Sequence, residues 1–287
     1  MGASLAFDAA LDRYSRQNYV MLDYHIHIPA PDPMTNPSTL ERQKFYGVRS
    51  TPSYFVDGEA GGGGGSADMA GSIYEGKVEP GIEKHLAVAP EAAIKLRATP
   101  TGSTVNVKAT VSRVRSKSDK LRLQIALVED QVHYSGENGL RFHEMVVRSL
   151  AVVPMKQPPV TPAAAEKPAA DPSATEKPTA TDMPAATDTQ AVSEKPPAPP
   201  KPTGFELRPG QGGSFEYAFD LAQAVAAAKA HLEEFEKVTR KGEYKFRQKK
   251  DAIDAGNLSV VAFVQDEATK KILQTVYVKL PGGKPGN

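Results

Sequence analysis

The chain has 287 residues, no cysteine and a formal charge of +1. That balance gives no basis for binding nucleic acid or an anionic membrane, and the lack of cysteine excludes disulfides, thiolate metal sites and cysteine nucleophiles in this sequence. No apolar run approaches the roughly 18 residues of a membrane span, and the opening MGASLAFDAALDRYSRQ lacks the basic-then-apolar pattern of a secretory signal.

Ala3, Phe7, Ala10, Leu11 and Tyr14 recur at helical spacing, which predicts a first helix. YVMLDYHIHIP (19–29) is rich in β-formers and reads as a strand stopped by Pro29. A loop, APDPMTNP, leads to a short helix. It starts either at the capping-box pattern Ser38-Thr39-Leu40-Glu41 or at Asn36-Pro37, and it ends at Gly47. TPSYFVDG reads as a strand that turns back at Asp57-Gly58, a type I′ hairpin signal. A glycine-rich return strand precedes a helix carrying Tyr74, Val78, Ile82 and Leu86, with a kink expected at Pro80-Gly81.

Residues 91–153 and 204–283 read as β. NVKATVSRV, KLRLQIALVEDQVHY, RFHEMVVRSLAVV, GSFEYAFDL, LSVVAFVQD and ILQTVYVKL alternate or run apolar, which predicts a β-sandwich. One helix is inserted, capped by Asp220 and carrying Leu221, Val225, Ala228, Leu232 and Phe235 along its apolar stripe. Residues 154–203 are built of Pro, Ala, Thr, Glu and Lys, with AEKP, TEKP and SEKP recurring. Such a segment buries too little to offset its ordering entropy and is expected to be disordered. The fold class is therefore α/β plus all-β. The expected domains are 1–90 and a sandwich of 91–153 with 204–283, the insertion lying within the second.

Candidate sites are few. On a strand, Asp23, His25 and His27 would share one face, a set able to hold zinc or another divalent ion. The simpler reading is hydrogen-bonded histidines, and no metal or other cofactor is expected. His133 and His143 flank the SGENG turn and are expected to approach each other near Glu144 as a structural pair. Gly61 to Gly65 lacks the Lys-Ser/Thr of a phosphate loop, so a hairpin return or a close backbone contact is the better reading. The basic run from Lys237 to Lys250 has only Tyr244 and Phe246 as interleaved aromatics and reads as a solvated face.

The order helix, strand, helix, proline-led strand, hairpin strand, helix resembles the thioredoxin fold from its active-site helix onward. LAFDAALDRY, YHIHIPAPDPMTNP and RQKFYGVRSTPSYFVDG resemble a bacterial group of exported thioredoxin-like proteins. LQIALVEDQVHYSGENGLRFHEMVVRSL and LSVVAFVQDEATKKILQ resemble the outer-membrane-protein-related β domain that follows in that group. The resemblance implies a cis-proline at Pro52. It also implies that Ser50, Thr51 and Pro52 shape a groove where an extended peptide or protein thiol client pairs with the backbone. It implies thiol–disulfide oxidoreductase ancestry and a place in the periplasm or at the cell surface.

In that group a strand and a Cys-x-x-Cys directly precede the first helix. This chain begins inside the helix, so a late-placed start or a fragment is expected. Without its innermost strand the first domain is expected to be loose, repaired by other pairing, or completed by another chain. As given, the chain can exchange no disulfide. The alternative is a non-catalytic envelope-associated binding protein that works through its β domain.

Overall fold

Two strands of the β region are apolar on both sides, and that pattern sets the architecture. The structure is a computed structural model and describes residues 1–136, 139–152 and 203–282. The expected disordered insertion, 154–203, lies outside the described residues apart from Thr203. In β5 (Leu121–Glu129), Leu121, Leu123, Ile125 and Leu127 face one way, while Ala126 and Val128 face the other. β11 (Leu258–Asp266) repeats this: Leu258, Val260, Ala262 and Val264 join the first set, Val261 and Phe263 the second. All are buried.

The larger sheet runs β12 (Ile272–Lys279), β11, β5, β8 (Val146–Leu150), with β9 (Phe205–Leu207) also on β5. A three-stranded sheet, β10 (Gly213–Asp220), β4 (Thr104–Ser112) and β3 (Ala93–Thr101), packs against its first face through Val105, Val107, Ala109 and Val111. Every ladder is antiparallel. This is the expected sandwich, with two strands, β3 and β9, beyond the six that the sequence patterns picked out. β3 pairs with β4 across a tight turn at Gly102, whose φ of 59° suits glycine.

The second face of the larger sheet is covered from the N-terminal side. Val20, Met21, Leu22 and Tyr24 pack on Val147, Leu150, Val261 and Phe263. Here the structure corrects an expectation. YVMLDYHIHIP is not a strand; its one ladder contact is an isolated parallel bridge from Asp23 to Val146. Asp23 N–H donates to Met145 O and its carbonyl accepts from Val147 N–H, both at 2.9 Å. The segment buries its apolar side chains by lying across a sheet face, so it has no flanking strand to pair with.

α1 (Gly2–Arg13) buries Ala3, Ala6 and Ala10 against Ile73, Val78 and Ile82. α2 (Pro37–Tyr46) starts at the Asn36-Pro37 alternative. Asn36 Oδ1 accepts from Ser38 N–H (3.0 Å) and Thr39 N–H (3.2 Å), and Thr39 Oγ1 accepts from Asn36 N–H. Gly47 closes the helix in the left-handed region. β1 (Ser53–Val56) and β2 (Glu59–Gly63) form the expected hairpin, with positive φ at both Asp57 and Gly58. The kink expected at Pro80-Gly81 appears one turn earlier. A π turn, Tyr74–Val78, separates α3 (Ala70–Ile73) from α4 (Glu79–Leu86). Pro80 has no N–H for the Gly76 carbonyl, and the widened turn absorbs that loss. α5 (Leu221–Val238) is capped by Asp220, whose Oδ1 accepts from Gln223 N–H, and it buries Ala228 and Leu232.

The described residues are α/β over the first ninety positions and all-β with one inserted α-helix beyond, and they form one compact unit.

Candidate functional site

Ser50, Thr51 and Pro52 lie together at the mouth of the β1–β2 hairpin. They line a groove of about 560 Å³ with Ser53, Tyr54 and Phe55. The Thr51–Pro52 peptide bond is cis, as is Ile28–Pro29. Side chains fix the approach: Thr51 Oγ1 donates to Ile28 O (2.6 Å), and Ser53 Oγ donates to Ser50 O (2.6 Å). Pro52 O accepts from Gly64 N–H at 3.0 Å. A Cβ at Gly63 would overlap Pro52 O, so the glycine run is a close backbone contact, one of the two readings the sequence left. Among the described residues neither the N–H nor the C=O of Thr51 has a backbone partner. Among the described residues β1 pairs with β2 alone, and its other edge carries no strand.

The histidine cluster is rearranged relative to expectation. Asp23 and His25 do meet: His25 Nε2 lies 3.1 Å from Asp23 Oδ2. His27 turns away, because the segment is not a regular strand. Its Nδ1 accepts from Asp32 N–H (3.0 Å), so its Nε2 carries the proton and donates to His231 Nε2 (3.1 Å). The ring stacks on Phe235, with centroids 3.8 Å apart. Burial, then the neighbouring His231, lowers the His27 pKa to about 4.

His143 takes the place that sequence spacing gave to His27. Its ring meets His25 edge-on at 4.9 Å. The expected approach of His133 to His143 does not occur. The β6 (Val132–His133) and β7 (Phe142–His143) register pairs His133 with Phe142 and Val132 with His143, so the two histidines face opposite ways. His143 lies 118 positions after His25, and no local spacing signals that contact.

Charge around His25 is strongly negative. Burial alone would lower its pKa, but Asp23 and Asp32 outweigh that and raise it well above the ordinary value. Asp8 is pushed up to about 6, first by burial and then by Asp23, Glu144 and Asp12. An aspartate with a raised folded pKa binds its proton more readily folded than unfolded. Its contribution therefore becomes unfavourable as pH rises from about 4 to about 6. Asp8→Asn is expected to stabilise the chelator-treated protein at pH 7 by about 1 kcal/mol, after discount for partial exposure. The gain disappears at pH 4. Thermal melts at both pH values check this; an equal gain at both would show that charge is not the cause.

No protein-family model matches the chain, and no curated protein matches it. Among solved structures, HBP35 of Porphyromonas gingivalis superposes with a TM-score of 0.42 at 11% identity, over 86% of this chain and 60% of that one. A domain of the outer membrane lipoprotein Omp28 from Porphyromonas gingivalis gives a TM-score of 0.26 at 13% identity, over 68% of this chain and 91% of that one. This chain thus spans less than two thirds of the length of the first. Neither likeness assigns a function. No helix among the described residues is long and apolar enough to cross a membrane.

Proposed function

We propose that this chain is a thioredoxin-like, envelope-located protein that binds extended peptide segments without redox chemistry of its own. The observation that carries the reading is the groove at Ser50, Thr51 and Pro52, where the Thr51 N–H and C=O stand unpaired beside the open edge of β1. An extended client adds there as a short strand. Backbone pairing supplies affinity, and Tyr54 and Phe55 supply apolar contact. Thioredoxin ancestry and the envelope location rest on the sequence resemblance, as does the division near residue 90. Dithiol exchange needs a thiolate at a helix N-terminus, and the chain holds no cysteine.

The test is an amide chemical-shift titration of the full chain with a reduced, carboxymethylated protein, which offers extended backbone and no thiol. Shifts are expected at Thr51, Ser53 and Tyr54, with Thr51→Pro, which deletes the N–H, weakening binding. Shifts confined to the outer face of β3, β4 and β10 would replace this reading with binding through the β region. Absence of any shift would remove both.

A further inference from the structure

Asp32 holds His25 in a specific orientation. Its Oδ1 accepts from Met34 N–H (2.8 Å), and its Oδ2 accepts from His25 Nδ1–H (2.7 Å). With Nδ1 committed, the His25 atom left to act is Nε2. That atom is buried, in a residue 9% exposed, and has no hydrogen-bond partner; Asp23 Oδ2 sits 3.1 Å away, off the hydrogen-bond line. His143 presents the complementary arrangement. Its Nε2–H donates to Tyr134 O (3.2 Å), so in the neutral ring the lone pair is on Nδ1, in a residue 6% exposed. One ligand atom from each of Asp23, His25 and His143 lies within 4.8 Å of the others.

We propose that Asp23, His25 and His143 form a three-ligand site for a divalent transition-metal ion of the zinc class. Two imidazoles and one carboxylate match zinc chemistry and select against magnesium and calcium, which take oxygen ligands. Each histidine already donates its other N–H, His25 to a carboxylate and His143 to a carbonyl, which is the outer-shell pattern of ligating histidines. Bonds of about 2.0–2.1 Å around a tetrahedral ion require ligand atoms about 3.4 Å apart. The Asp23–His25 pair, at 3.1 Å, is close to that, and the three ligand atoms together lie within 4.8 Å.

The fourth position opens past Asp23, whose side chain is 40% exposed, and takes water. The Asp32 carboxylate on His25 Nδ1 adds negative charge beside the site, which favours a cation there. His27 is excluded, because both its ring nitrogens are engaged. The site joins the 19–29 segment to β7, beside the Asp23–Val146 bridge, so an ion there clamps the N-terminal region next to the larger sheet.

Isothermal titration of the chelator-stripped full chain with zinc, paired with cobalt(II) absorption spectra and thermal melts, tests the site. One ion per chain, ligand-field bands of a four-coordinate nitrogen–oxygen site and a melting temperature raised by zinc are expected. His143→Gln and Asp23→Asn are expected to weaken zinc binding by more than about a hundredfold, and Asp32→Asn by about 10- to 100-fold. His27→Gln and His133→Gln leave it unchanged. Should His143→Gln fail to fold, Asp23→Asn carries the same test at a more exposed position. Absence of zinc heat and cobalt bands in the wild type would overturn the proposal. So would unimpaired binding in the ligand variants, or equal loss in His27→Gln.

Discussion

Arg148→Met is expected to destabilise the protein by about 3–5 kcal/mol at pH 7, read from urea unfolding. Arg148 is 5% exposed, and its Nε sits 3.1 Å from Glu129 Oε2 in a pair closed off from water. Its terminal nitrogen also donates to Lys250 O (2.7 Å) and Ala252 O (2.5 Å). Glu129 Oε1 in turn accepts from Asp254 N–H (2.9 Å). The pair thus pins the irregular 250–254 segment to the edge of the larger sheet.

Methionine keeps the apolar stem but strands a buried carboxylate and two carbonyls. The cost of the stranded charge exceeds what the pair itself contributes, because desolvation consumes most of the Coulombic gain. Burial already raises the Glu129 pKa despite Arg148. Loss of the cation raises it further, so the folded state takes up a proton above the unfolded pKa. The deficit is therefore largest at neutral pH and shrinks as pH falls toward 4. Glu129→Gln in the Arg148→Met background is expected to recover part of the loss at pH 7. A single variant costing under about 1 kcal/mol would mean that water reaches the pair.

Phe263→Ala is expected to cost about 3–5 kcal/mol and to loosen the N-terminal region selectively. Phe263 is 1% exposed and sits on the face of the larger sheet that residues 20–24 cover. The Arg42 guanidinium from α2 lies 5.7 Å from its ring, and the same group donates to Gln265 Oε1 at 2.6 Å. Deleting the ring opens a cavity between the sheet and its covering segment. Hydrogen exchange is expected to quicken at residues 20–24 and in α2 more than in β3 and β4, which pack on the opposite face. Uniform quickening would show that this face does not hold the N-terminal region.

Features governed by local conformation were readable in the residues themselves. Asp57-Gly58 marks a turn needing two positive φ angles, and it forms one. Asn36, Asp220 and Gly47 cap helices because their chemistry satisfies orphaned backbone groups at the chain position where they stand. The two-residue period of β4 announced a strand and its buried face.

YVMLDYHIHIP shows where such reading ends. Its β-rich composition records apolar surface to bury, and composition does not say whether burial comes through an edge or a face. The same gap misplaced His27: three alternating side chains share a face only if the segment is a strand.

The residues alone determined the Asp220 and Gly47 caps, the hairpin, six of the sandwich strands and the lack of cysteine, since each follows from backbone stereochemistry, period or composition. Only the tertiary structure decided that the larger sheet is covered on both faces, that His143 rather than His27 joins Asp23 and His25, and that Arg148 meets Glu129. Those outcomes depend on contacts between positions far apart in the chain, which no local period encodes.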